Sequence, residues 1–224
     1  MRIVLRVGGS VVASPVNTEL MDRYIEVLKS LKIQGHDIAV VVGGGTLARE
    51  FIDIAKSLRL KMDAQDEIAI SVSRLFAQLF ALKFGESCCG KVAMTLLETA
   101  ECLKNGKIAF MGGLKPGITT DAVAALVAEC VNADLLIKGT DQDGIYDKDP
   151  RKHSEAVKLD RISFDNLQSV LSEAVHTAGI HQIIDPEAVK VLKRKRVKLI
   201  VVNGFRPENI LAAVKGETIG TVVN

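Results

Sequence analysis

The sequence predicts an α/β domain built on a mainly parallel sheet. Three observations predict it. Short runs rich in Val, Ile and Leu recur without polar alternation, as strands buried on both faces do. Longer amphipathic stretches fall between them. Glycine-rich turns follow several of the predicted strands, the edge at which open α/β sheets bind ligands.

The strands are expected at residues 3–7, 38–42, 107–111, 135–138 and 197–202. A helix over 20–31 places Tyr24, Val27, Leu28 and Leu31 on one face. Further helices are expected over 47–58, 68–84 and 122–131, the last compact and apolar enough to be buried. Asp185-Pro186 opens another, with an N-cap acceptor followed by proline at the first helical position. The polar stretch 147–158, which carries Pro150, reads either as a lobe boundary or as a surface loop.

The 224 residues suit one large domain or two small lobes. Hydrophobic residues make up 48% of the chain, enough for a sizeable core, and the 25% of charged residues is ordinary for a soluble protein. Lys plus Arg number 29 against 27 for Asp plus Glu, a balance that argues against a coat for nucleic acid or anionic membrane. The basic run 190–198 is interrupted by Val191, Leu192 and Val197, as on a solvated helix passing into a strand. No segment reaches the roughly 18 apolar residues of a membrane span, and the apolar start is cut short by Arg6. A cytoplasmic protein without membrane or nucleic-acid partners is expected. Cys88, Cys89, Cys102 and Cys130 show no C-x-x-C spacing, so reduced, mostly buried thiols are expected.

Three loops carry the chemistry. The first strand ends in Val7-Gly8-Gly9-Ser10, the second runs into Gly43-Gly44-Gly45, and the third ends in Met111-Gly112-Gly113 before a helix start at Thr119-Thr120-Asp121. Glycine lets the backbone approach a ligand closely. Exposed amides and helix N-termini are ready anion sites. One Gly-Gly turn says little; three at one sheet edge point to phosphate. Neither G-x-x-x-x-G-K-[ST] nor G-x-G-x-x-G is present, which excludes a P-loop and a dinucleotide fold.

Arg6 lies in an otherwise apolar strand, where a charge is costly unless paired. A phosphate contact and a structural ion pair are both open for it. Arg49, Lys115 and Lys138 are further cations near the expected edge. Asp121 reads both as a first-turn carboxylate favoured by the helix dipole and as an organiser of cations around a transferred phosphoryl group. The Asp-rich run 141–150 fails the EF-hand pattern, since Lys152 stands at the closing position. A nucleotide-contacting loop with Tyr146 as a flat surface fits better.

Taken together, Val7-Gly8-Gly9-Ser10, the run 40–45 with Arg49, the segment 112–129 and the run 140–150 resemble the amino acid kinase family, most closely its archaeal-type uridylate (UMP) kinases. The resemblance covers nearly the whole chain. It implies a three-layer αβα sandwich and a single kinase domain over 1–224, with acceptor bound in the N-terminal part and ATP from about residue 133 onward. It implies transfer of the ATP γ-phosphoryl to UMP with Mg²⁺, in pyrimidine nucleotide biosynthesis, by a homohexamer, with no metal held by the protein's own side chains. Gly9, Ser10, Gly45, Arg49, Thr140, Tyr146 and Asp149 would meet ATP. Gly44, Asp66, Leu114, Lys115, Pro116, Gly117, Ile118, Thr119 and Thr120 would hold UMP, and Asp121 and Arg6 would be catalytic. Two departures stand out: arginine at position 6, where many members carry lysine, and Asp141-Gln142 in a run that is commonly Asn-Val or Lys-Val. The alternatives are a relative acting on another carboxylate or phosphate acceptor, and a non-catalytic nucleotide-binding member.

Overall fold

In the computed structural model, residues 1–168 and 184–224 are described. The chain runs β1 (Arg2–Val7), α1 (Gly9–Val12), α2 (Thr18–Ile33), β2 (Asp37–Val42), α3 (Gly45–Ser57), α4 (Met62–Phe84), α5 (Leu96–Lys104), β3 (Ala109–Met111), α6 (Thr120–Cys130) and β4 (Leu135–Thr140). It continues through β5 (Ile145–Tyr146), β6 (Lys158–Leu159), β7 (Arg161–Ile162), α7 (Pro186–Lys195), β8 (Lys198–Asn203), α8 (Glu208–Lys215) and β9 (Thr221–Val223). Seven strands form the central sheet in the order β3-β2-β1-β4-β8-β9-β7. The first five are parallel to one another. β9 joins β8 antiparallel, and β7 joins β9 in parallel.

The five long apolar runs are therefore the five parallel strands. Their side chains alternate between two helical layers, as the period of two requires. Ile3, Leu5 and Val7 pack with Ile38, Val40 and Val42 against α2, α4 and α8, in a core centred on Tyr24, Leu28 and Phe80. Val4, Ala39, Val41 and Leu136 face the other way, onto Val123, Val127, Val189 and Leu192 of α6 and α7. This is the expected αβα sandwich.

Local chemistry sets the helix starts. Asn17 Oδ1 accepts from the Leu20 amide at 2.9 Å, and Asp185 Oδ1 accepts from the Glu187 amide at 2.8 Å. Each satisfies a donor that the helix cannot. Residues 147–157 form the loop that joins the antiparallel pair β5–β6, and the polar stretch ends at Lys158, the first residue of β6.

One expectation is corrected. Cys89 and Cys102 form a disulfide, while Cys88 is a buried free thiol and Cys130 a half-buried one. Backbone bonds explain how the chain closes there. Cys89 N donates to Ile108 O, so the return from α4 runs beside β3, which follows α5. That brings the two Cα atoms to 5.9 Å, within disulfide range. Spacing in the sequence carries no sign of this route.

Candidate active site

Register dictates the centre of the site. Arg6 and Lys138 are direct partners across the parallel pair β1–β4. Both have the parity of Val4 and Leu136, so both point toward the α6 layer. Two neighbouring cations would repel each other in this poorly solvated place. Asp121, in the first turn of α6, lies between them. Arg6 Nε approaches Asp121 Oδ1 to 2.8 Å, and Lys138 Nζ bonds Asp121 Oδ2. The Arg6 contact is misaligned for a hydrogen bond, so it is held by Coulomb attraction rather than by a directed bond. Arg6 Nη2 also donates to Thr120 Oγ1 at 3.0 Å.

The electrostatics follow from burial and charge. Burial by itself would raise the Asp121 pKa, but Arg6 and Lys138 together outweigh it and hold the carboxyl below its ordinary value. Lys138, whose side chain is only 6% exposed, is lowered. Burial is the main cause, Arg6 adds to it, and Asp121 opposes it. Arg6 and Lys138 thus bring two cations to the N-terminal end of α6, where the helix dipole adds positive charge, with Asp121 between them and Asp185 close enough to support the charge on Lys138.

The glycine loops close over this centre. Gly8 N donates to Gly139 O and Gly43 N to Val7 O, both at 3.0 Å, so three strand ends are tied side by side. A Cβ on Gly9 would lie 2.1 Å from the Gly45 amide nitrogen, and one on Gly45 would lie 2.3 Å from Gly9 O. Gly45 also has φ +62°, a conformation glycine adopts without strain. The first two loops are thus in backbone contact, which no side chain permits. Gly9 and Ser10 open α1, ahead of any hydrogen-bond ladder of their own. Ser14 Oγ stitches the loops, accepting from the Thr46 amide at 2.6 Å and donating to Gly9 O at 3.2 Å.

The third loop borders a cavity of about 380 Å³ lined by Gly44, Asp66, Lys115, Gly117, Ile118, Thr119 and Thr120 together with Ala48, Ala69, Ile70, Ser73 and Gly113. Asp66 Oδ2 accepts from the Gly117 amide at 2.8 Å. Most residues expected to hold an acceptor therefore line one space beside Asp121. Leu114 and Pro116 are not in its lining; Leu114 packs against the α6-side core instead.

Thr140 closes β4 and is buried, its hydroxyl donating to Asp141 Oδ1 at 3.2 Å. Tyr146 lies half-buried on β5. Asp149 is buried, with Oδ1 accepting from the Arg151 amide at 3.0 Å and no described partner for Oδ2. Arg49 is exposed and reaches back to Thr46 Oγ1 at 3.2 Å. Asp141 forms an ion pair with Arg151.

Three residues carry more of the geometry than their sequence context suggested. Lys138, marked only as a cation near the edge, pairs with Asp121. Asp185, marked only as an N-cap, accepts from the Thr119 hydroxyl, and its amide donates to Asp121 Oδ2 at 3.3 Å. Arg74 holds the third loop through two carbonyls. The signal for the first was legible, a lysine in an apolar strand; Asp185 and Arg74 gave none.

The model of the amino acid kinase family matches residues 1–203. The chain belongs to the amino acid kinase family. Within that family it is 40% identical to the uridylate kinase of Methanocaldococcus jannaschii over 225 aligned residues, covering 100% of this chain and 99% of the relative. It is 42% identical to the uridylate kinase of Methanoculleus marisnigri, covering 99% of this chain and 95% of the relative. This family member also superposes on the crystal structure of the uridylate kinase of Archaeoglobus fulgidus with a TM-score of 0.90 and 39% identity, over 100% of both chains.

Proposed function

We infer that the protein is a UMP kinase, a nucleoside monophosphate kinase that transfers the γ-phosphoryl of ATP to UMP and yields UDP and ADP. The observation that carries the chemistry is Asp121 held between Arg6 and Lys138 beneath the glycine loops, next to a cavity of acceptor size. Full-length likeness to uridylate kinases carries the choice of acceptor.

Phosphoryl transfer needs little from the protein beyond alignment and positive charge where negative charge gathers. In this reading Arg6 and Lys138 face the moving phosphoryl group, and Asp121 fixes their positions. Gly9, Ser10 and Gly45 present amides to ATP, and Arg49 swings from Thr46 to a phosphate. Thr140, Tyr146 and Asp149 meet the adenine nucleotide. The buried Asp149 Oδ2, which has no hydrogen-bond partner among the described residues, supports this, because an orphan carboxylate oxygen is expensive without a donor. Gly44, Asp66 and residues 114–120 hold UMP.

Mg²⁺ fits this reading as a companion of ATP. Among the described residues no group of three or more His, Cys, Asp or Glu side chains is gathered to hold a metal. Asp121 already serves two cations. The ion would ride on nucleotide oxygens and neutralise part of their charge. A homo-oligomer, a hexamer in the resemblance, and a cytoplasmic role in supplying UDP belong to the same proposal. Among the described residues no helix is long and apolar enough to cross a membrane.

The test is ADP release with ATP and Mg²⁺ across UMP, CMP, acetylglutamate, carbamate and isopentenyl phosphate. UMP is expected to turn over well above the rest. Background rates with UMP alongside turnover of another acceptor would overturn the assignment.

A further inference from the structure

We propose that Arg74 is a positioning residue for the acceptor loop, acting on UMP binding through the backbone of residues 113–114 and not through contact with UMP. The proposal rests on the reading of that loop as the UMP-holding one.

The geometry is a clamp between a helix and a loop. Arg74 Nε donates to Gly113 O and Nη2 donates to Leu114 O, each at 3.0 Å. The preceding residue takes the other backbone group of the same glycine. The Gly113 amide donates to Ser73 Oγ at 2.8 Å, and the Ser73 hydroxyl donates in turn to Ile70 O at 2.7 Å. Both backbone groups of Gly113 are therefore fixed by α4. The loop lies against the helix itself, since a Cβ on Gly112 would sit 2.6 Å from the Arg74 amide nitrogen. Two turns earlier, Asp66 of the same helix takes the Gly117 amide.

The lengths agree. Asp66 to Arg74 rises about 12 Å along a helix. Gly113 to Gly117 spans at most about 14 Å of chain. The loop thus runs back along α4, anchored at both ends, with the acceptor cavity beside it.

The chemistry favours arginine at this place. Its planar fork presents two N–H groups from one edge to two successive carbonyls, which a lysine ammonium on a flexible stem does not. Turning those carbonyls onto a cation also keeps two partial negative charges away from an anionic acceptor. Neither Arg74 nor its fork lies in the cavity lining.

The experiment is steady-state kinetics with UMP and ATP varied separately, for wild type, Arg74→Met, Arg74→Lys and Ser73→Ala, with a thermal melt of each. Arg74→Met is expected to raise KM for UMP roughly tenfold, the scale of losing a charge-assisted bond, while KM for ATP stays put. Arg74→Lys is expected to recover only part of the loss, and Ser73→Ala to give a smaller defect of the same kind. An unchanged KM for UMP in Arg74→Met overturns the proposal. So does a rise in both KM values in step with a fall in Tm, or full rescue by lysine. Thr120→Val separates the two layers of the argument. If it too leaves KM for UMP unchanged, the loop's role fails, and the positioning role fails with it. If it alone impairs UMP binding, only the role of Arg74 fails.

Discussion

Arg6 and Lys138 sit side by side on neighbouring strands, and Asp121 is what makes that tolerable. Removing one partner from a buried ion cluster leaves uncompensated charge, typically at a cost of about 3–5 kcal/mol. Asp121→Asn is therefore expected to lower Tm clearly and to cut kcat by at least roughly a hundredfold, with ATP binding retained. A calorimetric melt and a single-turnover assay would check both, and a fully active Asn variant would remove Asp121 from the mechanism. The pH dependence has a definite sign. The folded Asp121 pKa lies below its ordinary value, so its stabilisation is present above that ordinary value and is lost as pH falls through the folded one. The stability gap between wild type and Asp121→Asn should be full at neutral pH and narrow in acid. Lys138 is lowered, chiefly by burial, so it sheds its proton below the ordinary lysine value. The alkaline limb of kcat/KM is expected there, and Lys138→Arg is expected to move it upward, because arginine stays charged. An alkaline limb that Lys138→Arg does not move would assign it to another group.

At the scale of elements, the site is a meeting of loop ends and helix starts. Thr119 caps α6 by accepting from the Ala122 amide at 3.2 Å, and its own hydroxyl donates to Asp185, which caps α7. One side chain thereby links the starts of two helices beside Asp121. Thr119→Ala is expected to cost about 1 kcal/mol from the cap, measured by denaturant unfolding. It is also expected to lower kcat more than Thr119→Ser, which keeps the hydroxyl. Equal activity of the two variants would confine Thr119 to a structural role. Gly9→Ala is a sharper probe of the loop contact, since its Cβ would meet the Gly45 backbone at 2.1 Å. Loss of ATP binding is expected, read by equilibrium dialysis. These glycines were legible as turns after strands. Their mutual contact was not, because it joins residues far apart in the chain through two adjacent strand ends.

For the whole molecule, the unburied surface carries information. Phe51 and Ile54 share one face of α3, continued by Leu58 at its C-cap, and Leu75, Leu79 and Leu82 share one face of α4. All six are exposed, although isolated surfaces seldom leave so much apolar area in one region. These faces are the expected contact with a second copy of the chain in the proposed homo-oligomer. Phe51→Asp together with Leu79→Asp is expected to reduce the mass measured by light scattering while the monomer stays folded. A wild type already monomeric at micromolar concentration would overturn that expectation.

Composition and periodicity determined the α/β class and the mainly parallel sheet, while the three-layer sandwich was implied by the family resemblance. Apolar runs can satisfy burial only by filling both faces of a parallel sheet, and the amphipathic stretches can cover it only from either side. Some elements escaped this logic. Helices Leu96–Lys104 and Glu208–Lys215 are short, and β9 adds an antiparallel edge whose strand is brief. The sequence by itself singled out Arg6, Asp121 and the glycine loops, because a charge in a buried strand and repeated Gly-Gly at strand ends are local signals. Only the tertiary structure decided which charges meet. The register of β1 on β4 sets Arg6 beside Lys138, and the crossover to α6 lowers Asp121 between them. The same holds for the Cys89–Cys102 pair and for the grip of Arg74 on the third loop. Each is a contact between distant segments, and distance along a chain does not encode distance in space until the strands have paired.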